Sequence, residues 1–286
     1  MGPDKMQLQR RELKYIITEK AAVCLRDFIS SYLELDEFGA GKPGLSYPVH
    51  SLYLDSSDLR LYWDTINGSR NRFKLRLRFY DSQPETPVYF EIKRRVNESI
   101  LKQRGGVRRD CVAWLLAGHL PAPSQLTTSE PKHLVALQHF CQRMLVLQAT
   151  PRVHIHYWRE AWVSPNNNSV RVTFDRQIRA DLHFSTEITT EMRQARLASF
   201  GQAVILELKF TERYPVWFED MVATFNLELT GAAKYIEGVG VLGESHCYGT
   251  GRPGAEPVVA AEAGGRRSGG TEAVLPKEYE RLVYSR

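Results

Sequence analysis

Arg72-Phe73-Lys74-Leu75-Arg76-Leu77-Arg78-Phe79 alternates charge and hydrocarbon without a fault. In an extended chain, residues i, i+2 and i+4 share a face. The stretch therefore reads as a β-strand with an apolar face (Phe73, Leu75, Leu77, Phe79) and a purely cationic one (Arg72, Lys74, Arg76, Arg78). Solvated strand faces usually mix signs, because like charges side by side repel. Later segments repeat the pattern. Phe90 and Ile92 alternate with Glu91, Lys93 and Arg95, and Lys102 and Arg104 follow. Arg171 and Thr173 oppose Val170, Val172 and Phe174, and Glu207 and Lys209 oppose Leu206, Leu208 and Phe210. Residues 72–109 hold eleven cations against four anions, whereas the whole chain has Lys+Arg 38 against Asp+Glu 33. The positive charge is concentrated, not general.

Stacked cations cost Coulomb energy, and the cost grows as the local dielectric falls. A polyanion between them removes it. If the sheet closes into a barrel, these faces line a tunnel and focus the field along its axis. Carboxylates stand among the cations: Glu12 near Lys14, Glu91 beside Lys93, Glu207 beside Lys209. They read either as ion-pair partners or as hard oxygen ligands for a divalent cation. Ion pairing is favoured for Glu91, and both readings stay open for Glu207.

Further strands are expected at 49–55, 88–95, 152–159, 169–175 and 204–210, with weaker candidates at 100–104 and 177–184. Helices are expected after Thr18 (Ala22, Leu25, Ile29 and Tyr32 share a face), after Ser56 or Ser57 up to Ile66, over Leu134–Leu145, and from Pro215 to about Leu227. Consecutive strands with fewer helices give an α+β class with antiparallel pairing. One domain over 8–245 is expected, followed by a flexible Gly/Ala/Pro-rich tail over 249–286 with a short helix at Glu278–Arg286.

The chain has 286 residues, 43% of them hydrophobic and 25% charged, which excludes collagen-like, coiled-coil and wholly disordered chains. Cys24, Cys111, Cys141 and Cys247 are widely spaced, which argues against disulfide frameworks and cysteine zinc sites. No apolar run reaches the ~18 residues of a membrane span, and the polar start shows no secretory pattern, so a cytoplasmic protein is expected. Gly39-Ala40-Gly41-Lys42 lacks the upstream glycine and the Ser/Thr of a P-loop. His154 and His156 share a strand face and read as polar lining ahead of a metal pair.

Nine segments, in order, resemble the vacuolar transporter chaperone (VTC) domain, the polyphosphate polymerase module of the triphosphate-tunnel (CYTH-like) superfamily. They begin with Glu12-Leu13-Lys14-Tyr15, Ser51-Leu52-Tyr53-Leu54-Asp55 and Lys74-Leu75-Arg76-Leu77-Arg78-Phe79-Tyr80. They continue with Phe90-Glu91-Ile92-Lys93-Arg94-Arg95, Leu101-Lys102-Gln103-Arg104 and Tyr157-Trp158-Arg159-Glu160-Ala161-Trp162. They end with Val170-Arg171-Val172-Thr173-Phe174-Asp175, Leu206-Glu207-Leu208-Lys209 and Lys234-Tyr235-Ile236-Glu237-Gly238. The resemblance implies an antiparallel β-barrel tunnel with flanking helices. It also implies transfer of the ATP γ-phosphate to a growing polyphosphate chain with Mn²⁺ or Mg²⁺. Lys14, Arg76, Arg78, Lys93, Lys102, Arg159, Arg171 and Lys234 match its phosphate-binding positions, with Arg104 and Lys209 beside them. Glu207 matches its metal-binding carboxylate, and Glu12 is its expected companion.

The implied partners are ATP and inorganic polyphosphate, with a membrane protein at the inner membrane able to take up the product and no nucleic acid. Two departures stand out. Gly231 occupies a position where the family often has a second lysine, and Arg159 shares strand parity with the apolar Val153 and Ile155. The Glu-x-Glu-x-Lys opening of the related triphosphatases is replaced by Arg10-Arg11-Glu12-Leu13-Lys14. A surplus of cations over acids suits transfer between phosphates, which needs charge neutralisation more than a general base. The alternatives are a triphosphate hydrolase on the same fold, a non-catalytic polyphosphate sensor, and a single-strand nucleic-acid binder.

Overall fold

The alternating stretch forms strand β4 (Asn71–Phe79), and Phe73, Leu75, Leu77 and Phe79 are all buried at 1% exposure or less. The computed structural model describes residues 10–97, 99–165, 169–197, 200–211 and 213–249. The expected tail helix, and the tail from residue 250 on, lie outside the described residues.

The other strands are β1 (Arg10–Ile17), β2 (Glu34–Leu35), β3 (Tyr47–Asp55), β5 (Val88–Val96), β6 (Ser99–Val107), β7 (Thr150–Val163), β8 (Val170–Leu182), β9 (Arg196–Leu197) and β10 (Val204–Thr211). They form one antiparallel sheet in the order β1-β10-β8-β7-β3-β4-β5-β6, with β2 added to β7 and β9 to β8. The helices are α1 (Glu19–Ile29), α2 (Arg60–Ile66), α3 (Val112–Leu116), α4 (Pro131–Leu147), α5 (Val216–Thr224), α6 (Lys234–Leu242) and α7 (Glu244–Cys247). The α+β class and the antiparallel pairing are as the sequence reads.

The closed barrel is not what forms. β1 and β6 end the sheet, and no hydrogen-bonded ladder joins them among the described residues. The sheet nevertheless curls far enough for Lys93 on β5 to meet Glu12 on β1 at 2.9 Å. An ion pair between long side chains stands where a barrel would have backbone pairing.

Local chemistry explains most elements. The Thr18 side chain accepts the Ala21 N–H at 3.2 Å, and Ala22, Leu25 and Ile29 bury one face of α1. At α2 the Asp55 carboxylate takes the N–H groups of Leu61 and Tyr62, each at 2.9 Å, while Ser56 Oγ takes that of Arg60. The two expected strands around residue 176 are one strand, β8, kinked at Gln177, whose φ is 50°. A bulge there re-registers β8 against β7 without ending it.

Helix α6 went unread in the sequence, yet it shapes the interior. Tyr235, Val239 and Leu242 bury it against Val153, Ile155 and Ala180 on the concave side of the sheet. A Cβ on Gly238 would sit 2.5 Å from Ile155 Cδ1, so glycine sets how closely helix and sheet approach.

Candidate functional site

Register fixes which side chains meet inside. Arg78 stands opposite Tyr89, Arg76 opposite Glu91, and Lys74 opposite Lys93. Glu91 and Lys93 stand opposite Arg104 and Lys102 on β6. From the other end of the sheet, Glu12 faces Lys209 and Lys14 faces Glu207, which face Arg171 and Thr173 in turn. Asp175 faces Arg159, and Arg159 faces Tyr47. Lys234, the first residue of α6, reaches Asp175 at 2.6 Å and Glu207 at 3.1 Å. All twelve site residues expected from the sequence thus lie on the inner face: Lys14, Arg76, Arg78, Lys93, Lys102, Arg104, Arg159, Arg171, Lys209, Lys234, Glu12 and Glu207.

The parity puzzle at Arg159 resolves without moving Arg159. It does share a face with Val153, Ile155 and Tyr157, and that face is the interior, apolar where α6 fills it and cationic beyond. Gly231 is exposed, and a Cβ there would meet nothing within 4 Å. Not all eleven cations of 72–109 contribute. Arg108 pairs with Asp110, Arg109 donates to the Asp81 and Gln83 carbonyls, and Arg94 stands opposite Phe73 on the outer face.

The carboxylates are ion-pair hubs. Glu207 contacts Lys209, Lys234 at 3.1 Å, Lys14 at 3.4 Å and Arg159 at 3.5 Å. Burial alone would raise its pKa, but these cations hold it well below the ordinary carboxylate range. Glu12 pairs with Lys93 and, at 3.1 Å, with Lys14, and is likewise held low against the pull of burial. Glu91 pairs with Arg76 and Lys102, each at 2.7 Å, and with Arg104 at 3.4 Å. Asp175, fully buried and not expected as a site residue, grips Arg159 through two 2.7 Å hydrogen bonds. Its place on the Arg171-Thr173-Asp175 face was the signal that could have found it.

Among the described residues, Arg78 and Lys74 of the interior make no ion pair with a carboxylate. Arg78, 7% exposed, donates to the hydroxyls of Ser51 and Tyr157 at 3.3 and 3.0 Å, and its buried Nε has no hydrogen-bond partner there. Lys74 makes no ion pair among them. Burial, then Lys14, Lys93, Arg72 and Arg76, push its pKa down to about 7. Lys102 is also lowered to about 7 and Lys209 to about 8, first by burial in each case. Thr173 Oγ1, buried beside Glu207, is another unpartnered polar atom. Unsatisfied buried donors and crowded ammonium groups are what a bound anion would relieve.

Among the described residues no group of three or more His, Cys, Asp or Glu is arranged to hold a metal ion. Glu12 and Glu207 share the Lys14 ammonium across neighbouring strands at 3.1 and 3.4 Å. His154 and His156 lie on the opposite, outer face with His50, whose Nδ1 is 3.0 Å from His154 Nε2. Burial pushes His50 down to about 3 and His156 to about 4, so both rings stay neutral.

A family profile of the VTC domain matches residues 9–243. No curated protein matches. Solved structures similar to this chain include a Bacillus halodurans protein provisionally named an adenylate cyclase, with a TM-score of 0.44 at 13% identity, covering 79% of this chain and 96% of that one. Another, from Vibrio parahaemolyticus and provisionally named the same way, gives 0.39 at 13% identity, covering 81% and 98%. Likenesses this distant carry no argument about function. The profile match spans most of the chain and every strand that lines the charged interior, and the chain belongs to the VTC domain family.

Proposed function

We propose that the charged interior binds the phosphates of a nucleoside triphosphate and of inorganic polyphosphate, and transfers the terminal phosphoryl group from ATP to the polymer. The observation that carries the proposal is the excess of cations over carboxylates, with Arg78 and Lys74 uncommitted to any carboxylate among the described residues. A phosphate chain carries repeated negative charge and would satisfy both. Arg76 and Arg78 project from one strand at i and i+2, suited to gripping successive phosphate oxygens in forked fashion, while the lysines act as point charges. Transfer to a terminal phosphate needs no general base, because that oxygen is already anionic at neutral pH.

Glu12 and Glu207 suit a divalent cation only as two carboxylate oxygens completed by phosphate and water, the usual manner for Mg²⁺. A bound Mn²⁺ or Mg²⁺ would neutralise charge on the transferring group. The residues of the chain do the rest. Asp175 fixes Arg159, Glu91 fixes Arg76 and Lys102, and Lys234 is held at the base of the interior between Asp175 and Glu207.

The test is purified protein with ATP and Mn²⁺, followed by a gel for polymer and an assay for free phosphate. Polymer with ADP release supports the reading. Free phosphate without polymer replaces it with hydrolysis. Tight polyphosphate binding with neither product makes the protein a sensor, a reading that the fully ion-paired state of Glu207 keeps in play.

A further inference from the structure

One end of the interior is rimmed by aromatic rings. Tyr47 opens β3, Tyr80 directly follows β4, and Tyr89 lies at the start of β5, so all three fall at the same end of the sheet. Phe38, just after β2, completes the row. Its ring centroid lies 5.9 Å from Tyr47, Tyr47 lies 6.2 Å from Tyr80, and Tyr80 lies 6.3 Å from Tyr89. The interplanar angles are 60°, 58° and 73°, so the rings meet tilted or edge-on and no two neighbours in the row stack face to face.

The row is held in place from the cationic side. Arg171 donates to the Tyr47 hydroxyl at 3.2 Å and to Asp36 at 2.5 Å. The Arg104 guanidinium lies 3.4 Å over the Tyr89 ring. Gly106 faces Tyr89, and a Cβ there would come within 3.1 Å of the ring. The rim also adjoins the phosphate-binding cations, since Tyr89 stands opposite Arg78 and Tyr47 opposite Arg159. Phe38 differs from its neighbours: it is 57% exposed, while Tyr47 is 7% exposed. A large apolar ring left open at the mouth of an anion site has a face to offer a ligand that is anionic at one end and flat and aromatic at the other.

We propose that Phe38, with Tyr80 beside Tyr47, forms a stacking platform for the purine base of a nucleoside triphosphate whose phosphates enter the cationic interior. The proposal rests on the phosphate-binding reading above and adds to it a means of telling a nucleotide from a bare phosphate chain. Base–aromatic stacking is worth ~1–3 kcal/mol per base, so removing the platform should weaken nucleotide binding by about 5- to 150-fold.

The experiment compares ATP and inorganic tripolyphosphate, each with Mg²⁺, by calorimetry on wild type, Phe38→Ala and Phe38→Trp. Phe38→Ala should lower ATP affinity about tenfold and leave tripolyphosphate affinity unchanged, while Phe38→Trp keeps or strengthens ATP binding. Phe38 is exposed, and an unchanged thermal midpoint checks that the variants fold. Equal losses for both ligands, or no loss for ATP, overturn the platform. Failure of wild type to bind tripolyphosphate overturns the phosphate-binding reading instead, so the two failures are distinguishable.

Discussion

The two walls of the interior handle charge differently. On the wall built by β1, β10, β8, β7 and Lys234, the carboxylates Glu12, Glu207 and Asp175 are interleaved with Lys14, Lys209, Arg159 and Lys234 in a continuous set of ion pairs. On the wall built by β4, β5 and β6, Glu91 is the shared partner of Arg76, Lys102 and Arg104, Lys93 leans across to Glu12, and Lys74 and Arg78 have no carboxylate among the described residues. On the first wall every one of these cations has a carboxylate partner, three acids serving four bases. The second keeps an excess of cations over carboxylates. Ion pairs here hold cations in position, and in the proposed function the cations left over are the ones that meet the phosphates.

The largest expected effect tests the first wall. Glu207→Gln takes from Lys209 the carboxylate it pairs with and from Lys14, Arg159 and Lys234 one of their two carboxylate partners, and breaking a buried ion pair on one side costs about 3–5 kcal/mol. Chemical denaturation should show that loss, with polyphosphate restoring part of it. A loss under about 1 kcal/mol would make the wall far less cooperative than its contacts suggest. Next, Arg78→Ala on the second wall orphans no carboxylate and should leave the thermal midpoint nearly unchanged. Tripolyphosphate affinity should fall about 10- to 100-fold, the worth of one charge-assisted hydrogen-bonding group. Equal effects of the two substitutions on stability would erase the distinction between the walls.

A pH series sharpens it further. Lys74 and Lys102 titrate near 7 in the folded protein, against about 10.4 in an unfolded chain. Between those values the unfolded chain binds more protons, so these lysines make stability rise with pH across that window. A bound phosphate chain favours their charged forms, so tripolyphosphate affinity should fall as pH climbs past 7, with proton uptake on binding. Calorimetry in buffers of different ionisation enthalpy measures that uptake, and Lys74→Arg should reduce both effects. The smallest effect belongs to the outer face. His156, lowered to about 4 by burial and then by Arg179, contributes stability that is lost as pH falls from about 6.5 toward 4. His156→Gln should flatten that acid slope slightly and leave phosphate affinity at neutral pH unchanged. A change in affinity would show that the two faces are coupled.

Much of this site could be read before folding. Strict alternation in 72–79 and in the later strands assigns each cation to a face, because strand side chains alternate by geometry alone. That was enough to collect Arg76, Lys93, Glu207 and their neighbours, whereas Lys14 comes from the family resemblance, since no strand is expected over 10–17. Alternation also puts Arg94 with Phe90 and Ile92 on the apolar face and Lys93 on the other, and the structure sets Arg94 opposite Phe73 on the outer side. It missed Asp175, which carries no local oddity and becomes central only when β7 sets Arg159 against it. It missed α6 as well, because two glycines weaken the helical signal over 234–242, and one of them is there for packing against Ile155.

The sequence by itself determined the antiparallel α+β class, the faces of the main strands and the concentration of positive charge on the inner one, since all three follow from local periodicity and composition. Tertiary structure decided which carboxylate neutralises which cation, that Arg78 and Lys74 are left over, and that the sheet curls without closing. Those outcomes depend on contacts between residues far apart in the chain, such as Glu12 with Lys93 and Glu207 with Lys234. No local pattern encodes such distances.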